Sequence, residues 1–222
     1  MVRSEFAGLR VRTLPGVFAP TRSDTALLWK AVEQAGLVHG RVLEVCSGSG
    51  ALALCCARAG ARVTAVDAWW RAVLTIRLNS WRLGLPVDVR HGDLLAPVAG
   101  QRFDLILANP PYLPAPPRPR GGADLAWDGG ADGRALLDRL CEEVGTALAP
   151  GGSFALVHSS LADLERSEQQ LASSGLAVRR LIEQEGPLGP LASAHRDHLE
   201  SLGVLDDRAV ERMAVILASA GP

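Results

Sequence analysis

No apolar run in this sequence approaches the roughly 20 residues that a helix needs to cross a bilayer, so a membrane-spanning helix is not expected. Met1 to Arg12 is too polar for the apolar segment of a secretory signal, which makes a cytoplasmic location the expectation. The four cysteines, Cys46, Cys55, Cys56 and Cys141, lack CxxC spacing and have no histidine at ligand distance along the chain. Neither a zinc site nor a disulfide framework follows, and no metal is expected. A basic face is missing too: the net charge is −1, and the one local cluster is Arg118-Pro-Arg120. Duplex-binding enzymes carry a basic footprint, so nucleic acid is the weaker class of partner. No histidine pairs with an Asp or Ser in a pattern that signals general-base catalysis. What remains, at 222 residues and 48% hydrophobic, is enough to bury the core of one globular domain.

Within that chain four residues stand out. Asn109-Pro110-Pro111-Tyr112 follows the strand-like run Phe103 to Ala108. Two prolines cannot donate to a sheet ladder and push the residue before them out of the helical region, so the strand must end at Ala108 or Asn109. The result is a rigid turn at the carboxyl edge of a buried strand, where open α/β sheets bind ligands. There the Asn109 side-chain carbonyl and the Pro110 backbone carbonyl can accept both protons of one NH2 group, and Tyr112 offers a ring to stack on the same planar system. A proline-ended loop capped by Asn would carry the same four residues.

A second motif lies upstream. Arg41 to Cys46 reads as a strand, followed by Ser47-Gly48-Ser49-Gly50 and a helix start, then a strand from Arg62 to Val66 ended by Asp67. Glycines permit a tight strand-to-helix turn and expose amides at a helix N-terminus. Asp67 is placed to accept both hydroxyls of a ribose. By spacing alone Gly48-x-Gly50-x-x-Ala53 also fits a dinucleotide fingerprint. Glu44, an acid inside a strand, needs a hydrogen-bond partner to be buried and fits an acceptor for loop amides or a cofactor amino group. Asp93, after the third strand, fits an acceptor for an adenine amino group or a cap for a short turn. Trp127 either walls the substrate pocket or only packs.

Together the glycine loop, the acid ending the second strand and NPPY ending the fourth resemble class I S-adenosylmethionine-dependent methyltransferases. The nearer resemblance is to the HemK-type branch, which methylates glutamine side-chain amides. Val17 to Leu28 resembles that branch's entry segment, Trp127 to Leu136 its G-G-x-D-G segment, and Leu148 to Leu156 its L-x-P-G-G strand. Three departures stand in this chain: Cys46 where many relatives have Gly, Ala26 where they have Glu, and the bulky Trp69-Trp70 pair. The resemblance implies S-adenosylmethionine as cofactor, held by Thr25, Glu44, Cys46, Ser47, Gly48, Gly50, Asp67, Ala68, Asp93, Leu94 and Asn109. It implies catalysis at Asn109, Pro110, Pro111 and Tyr112.

The implied acceptor is a protein glutamine, as in a translation release factor. An adenine of nucleic acid, a small molecule of specialised metabolism and a non-enzymatic scaffold role are the other readings. The implied form is short, without the helical N-terminal domain of bacterial release-factor enzymes, and a small zinc-binding partner subunit is a further implication.

The expected fold is α/β: a doubly wound, seven-stranded, mostly parallel sheet in one domain, residues 1–222, with 1–40 as entry segment and helix. Strands are expected at 41–46, 62–67, 87–91, 103–108, 153–158 and 176–182, and helices at 24–36, 51–59, 71–83, 134–148 and 161–174. A last, antiparallel strand at 209–217 is expected at the sheet edge. Leu113 to Gly133 is expected as a loop beside the site, and 196–202 as a short helix within an irregular stretch from Glu185 to Asp207.

Overall fold

A computed structural model of the chain describes residues 1–20, 23–116, 122–205 and 208–221. The Arg118–Arg120 cluster lies outside the described residues. The chain opens with β1 (Val2–Phe6) and β2 (Leu9–Thr13), an antiparallel hairpin that the sequence reading did not anticipate. Its turn uses positive φ at Ala7 (45°) and Gly8 (77°), the combination that matches strand twist in a two-residue hairpin. Alternation puts Leu9, Val11 and Thr13 inside and Arg10 outside.

The rest follows strand–helix alternation: α1 (Ser23–Gln34), β3 (Arg41–Val45), α2 (Ala51–Arg58), β4 (Arg62–Asp67), α3 (Trp70–Leu83), β5 (Val87–His91) and β6 (Phe103–Ala108). Then come α4 (Leu137–Glu143), β7 (Leu148–Ser159), α5 (Leu164–Ser173), β8 (Ala177–Pro187), the short α6 (Pro190–Ala194) and α7 (Arg196–Ser201), and β9 (Val210–Ser219). Seven strands form one sheet in the order β5-β4-β3-β6-β7-β9-β8. Pairs from β5 to β7 are parallel, and β9 runs antiparallel to both neighbours.

Several expected bounds change: β7 starts at Leu148, where a helix was expected to end, and β8 runs to Pro187, into the stretch expected to be irregular; two further changes bear on the site. The antiparallel last strand is not at the edge: β9 lies between β7 and β8, so its residues Ala214 to Ala218 are buried on both faces and read as a continuous apolar run. Helix α4 begins at Leu137, not 134. Arg134, 3% exposed, is instead an anchor that donates to the Ala162 carbonyl, Ser167 Oγ and Gln170 Oε1.

One apolar cluster joins the hairpin, α1 and α2 to one face of the sheet, and a second joins α4 and α5 to the other. Strand order reverses between β3 and β6, which are paired neighbours. Their carboxyl ends carry the glycine loop and the Asn-Pro-Pro-Tyr turn. This is the switch point at which an open α/β sheet leaves a crevice.

Candidate active site

The glycine loop connects β3 to α2 with little room to spare. A Cβ on Gly50 (φ 74°) would lie 2.9 Å from both Cγ atoms of Ile76, so only glycine lets α3 pack this close. Cys46 also occupies the left-handed region, at φ 54°, a conformation that favours glycine. Asp67 ends β4 and spans two backbone amides: Oδ2 accepts from Gly48 N and Oδ1 from Trp69 N, both at 2.8 Å. Burial pushes its carboxyl up from the usual range, opposed by those two amides. The Gly48 bond locks the loop to the strand that carries the acid.

Glu44 is buried at 4% exposure, and its Oε2 accepts the Ala53 amide at 2.9 Å. Desolvation raises its pKa to about 8. Ser47 Oγ lies 2.8 and 3.1 Å from the carbonyls of Glu44 and Val66, so its hydroxyl braces the loop.

A cavity of 210 Å³ opens beside this loop. Cys46, Gly48, Asp67, Ala68, Asp93, Leu94 and Asn109 line it together with Val66, Trp69 and Pro111. Thr25, Glu44 and Ser47 line a smaller cavity of 10 Å³, which Cys46 and Asn109 share. Asp93 reaches the 210 Å³ cavity from its rim, where Arg139 holds its carboxylate at 2.7 Å.

A second and larger cavity, 540 Å³, lies across the Asn-Pro-Pro-Tyr turn. Pro110 and Tyr112 face only this one, Pro111 faces both, and Asn109 lines all three. Its far wall is the end of β8 (Gln184 to Pro187), the start of α6, and Glu211 and Met213 of β9. The turn is held at both ends. Asn109 Nδ2 donates to Thr25 Oγ1 at 3.1 Å, and Tyr112 OH donates to Asp24 Oδ2 at 3.2 Å. Behind it, a Cβ on Gly129 would lie 2.7 Å from Tyr112 Cα, and one on Gly133 would lie 2.3 Å from the Tyr112 carbonyl. The two glycines of the Trp127–Leu136 segment let that segment run against the turn, with Leu113 N donating to the Trp127 carbonyl and Gly129 N to the Leu113 carbonyl. Trp127 walls the larger cavity and stacks on His195, with centroids 5.0 Å apart.

Asp24, Gly129, Gly133, Glu211 and Met213 were not singled out as site residues from sequence. The Asp24-Thr25 pair and the Gly-rich segment were visible as motifs. The contribution of β8 and β9 carried no local signal, because it depends on strand order. His158, fully buried at the end of β7, packs its ring 6.3 Å from Tyr112 and has a pKa pulled down to about 3 by desolvation. It stays neutral at physiological pH. Among the described residues no group of three or more His, Cys, Asp or Glu is arranged to hold a metal ion.

Residues 8–118 match the family model described as the methyltransferase small domain. A putative protein N5-glutamine methyltransferase of Methanocaldococcus jannaschii is 32% identical over 78% of this chain and 88% of its own length. A release factor glutamine methyltransferase of Deinococcus radiodurans is 38% identical over 68% of this chain, which spans 58% of that relative. Among solved structures, the Mtq2–Trm112 complex of E. cuniculi, responsible for methylation of the eRF1 termination factor, has a chain that superposes with a TM-score of 0.65 at 22% identity, over 93% of this chain and 99% of that one. A 16S rRNA N2 methyltransferase of T. thermophilus, solved with AdoMet and guanosine, gives a TM-score of 0.64 at 25% identity, over 99% of this chain and 50% of that one. With a cavity on each side of a turn that closes β6, a glycine loop at the switch point and these relatives, the chain belongs to the methyltransferase small domain family and is a methyltransferase with a Rossmann-like sheet.

Proposed function

We propose that the protein moves a methyl group from S-adenosylmethionine to the side-chain amide nitrogen of a glutamine in a protein, a translation release factor being the first candidate. The observation that carries this reading is Asn109. It lines both cavities, and its Nδ2 is committed to Thr25, which leaves Oδ1 without a donor among the described residues. An acceptor oxygen at the junction of two cavities suits an NH2 group entering from the 540 Å³ side.

The residues present fit the cofactor. Asp67 supplies an acid at the mouth of the 210 Å³ cavity for ribose hydroxyls, the amides of the glycine loop lie beside it, and Val66, Ala68 and Leu94 give apolar walls for a flat base. The cofactor supplies an electrophilic methyl on a sulfonium. The remaining work belongs to the chain. An amide nitrogen is a poor nucleophile because its lone pair is delocalised into the carbonyl. Asn109 Oδ1 and the Pro110 carbonyl orient the two N–H bonds and meet the positive charge that grows on nitrogen, so positioning and fixed dipoles are the catalytic devices. No base is needed before transfer, since the nitrogen becomes acidic only afterwards.

The likeness to an rRNA enzyme raises a nucleic-acid reading. The larger cavity favours it less: its acidic lining residues are Asp24, Glu185 and Glu211, of which Asp24 is buried and hydrogen-bonded and Glu185 pairs with Arg208 at 3.1 Å. On the partner side, α3 leaves Trp70, Leu74 and Trp81 exposed at 54%, 45% and 81%, beside the edge strand β5. This apolar stripe supports a small partner protein, as Trm112 is for the Mtq2 neighbour, checked by whether such a subunit co-elutes with the chain on size exclusion.

The central experiment is transfer of labelled methyl onto purified release factor, ribosomal RNA and cell metabolites, with the modified residue mapped by mass spectrometry. Label on a glutamine of the release factor, lost when that glutamine is replaced, is the expected result. Label on RNA alone would overturn it.

A further inference from the structure

Two consecutive residues at the start of α1 hold both ends of the Asn-Pro-Pro-Tyr turn, 84 and 88 residues away in sequence. Asp24 and Thr25 are each only 5% exposed. Asp24 uses one carboxylate oxygen to accept the Thr25 amide at 2.8 Å and the other to accept the Tyr112 hydroxyl at 3.2 Å. Thr25 in turn accepts the Asn109 side-chain NH2. The helix that carries them is fixed by Leu27, Leu28, Ala31 and Val32, all buried in the core.

Between the two grips, Pro110 and Pro111 remove φ freedom. What prolines cannot set is the side-chain amide of Asn109, which has two orientations of similar shape and opposite polarity. Nδ2 faces Thr25 Oγ1, the orientation that leaves the carbonyl oxygen for an incoming NH2. Likewise the Asp24 contact fixes where the Tyr112 ring stands over the larger cavity.

We propose that Asp24 and Thr25 are positioning residues for methyl transfer. Thr25 acts through the amide orientation of Asn109 and not as a cofactor ligand, and Asp24 acts through Tyr112. This rests on the reading of Asn109 and Tyr112 as the acceptor-side residues. Side chains that act as one unit give non-additive losses, whereas independent sites multiply.

The test uses the full chain with a release factor as acceptor. Thr25→Val should slow single-turnover transfer about tenfold or more while AdoMet affinity stays within about twofold, and Thr25→Ser should restore most of the rate. The double variant Thr25→Val/Asn109→Ala should be no slower than Asn109→Ala alone. A second readout needs no acceptor. Tyr112 is the one tyrosine in the chain, so 13Cζ-tyrosine labelling gives a single resonance. Asp24→Ala should shift it, and Asp24→Asn, which keeps an acceptor oxygen, should shift it less. Equal losses of rate and AdoMet affinity in Thr25→Val, multiplying losses in the double variant, or an unmoved tyrosine resonance in Asp24→Ala would each overturn the proposal. A wild-type enzyme that ignores the release factor would remove the glutamine reading, while the resonance and the AdoMet affinities would still decide the clamp.

Discussion

At the scale of single residues, Asn109 and Glu44 are both polar groups at the end or middle of a buried strand, yet their roles differ. Asn109 faces space, and Glu44 faces an amide. Asn109→Ala should cut the methyl-transfer rate by about 10²-fold or more, the range for losing one preorganised polar contact, with AdoMet affinity changed far less. Single-turnover kinetics and calorimetry on the same variant check this. Glu44 predicts a pH effect on stability.

Its folded pKa of about 8 lies above the 4.5 of an unperturbed glutamate, so between those values the folded chain holds a proton that the unfolded chain has lost. Stability should therefore fall as pH rises from about 4.5 to 8, by an amount on the order of a few kcal/mol. Glu44→Gln keeps an acceptor for the Ala53 amide and should flatten that slope. Urea midpoints of both proteins at pH 5, 6.5 and 8 measure it, and parallel slopes would show that Glu44 is charged in the fold.

At the scale of elements, period and punctuation made most of the sheet legible. The strands 62–67 and 103–108 emerge with the bounds that their apolar runs and flanking glycines indicated, because parallel strands buried on both faces leave little ambiguity, and the edge strand 87–91 emerges with its expected bounds although only Val89 of it is buried. The hairpin β1–β2 was missed although Phe6, Leu9, Val11 and Thr13 alternate correctly, since its Ala-Gly turn lacks the usual Asn-Gly or Asp-Gly signal. The position of β9 was misjudged for another reason: the apolar run Ala214–Ala218 tells that a strand is buried but not which neighbours bury it. In the site, the turn and the loop were legible from proline and glycine, whereas the acceptor wall from β8, α6 and β9 was not.

The Gly129 contact gives a prediction at this scale. Gly129→Ala would place a Cβ 2.7 Å from Tyr112 Cα and 2.8 Å from the Gly133 carbonyl, both backbone atoms with little freedom to yield. The turn should shift by enough to slow transfer about 10²-fold, and overpacking should cost about 1–3 kcal/mol. Gly145→Ala, where a Cβ meets nothing within 4 Å, is the matched control and should be close to wild type in rate and urea midpoint.

For the molecule as a whole, the 210 Å³ cavity draws its walls from the ends of β3, β4 and β6, the segment after β5, and the stretch before α1. A ligand there ties together parts of the chain more than 100 residues apart in sequence, so binding should register in global unfolding. At about 100 times its Kd, AdoMet should stabilise the protein by about 2.7 kcal/mol, since it binds the folded state alone. For a chain of this size that corresponds to a rise in Tm of about 5–10 °C. NAD should give no shift, because the glycine spacing fits both cofactors while the cavity and the Asn109 turn suit an adenosine with a short reactive arm.

Asp67→Ala separates the ligand term from the fold. Losing a charged hydrogen bond to ribose should remove about 1.5–3 kcal/mol of binding, which at fixed AdoMet concentration erases most of the Tm rise. The variant also releases the Gly48 and Trp69 amides, so its ligand-free Tm should fall as well, and the decisive quantity is the difference between the two scans. A Tm rise in Asp67→Ala equal to that of wild type, or an equal rise with NAD, would break the assignment of this cavity to S-adenosylmethionine.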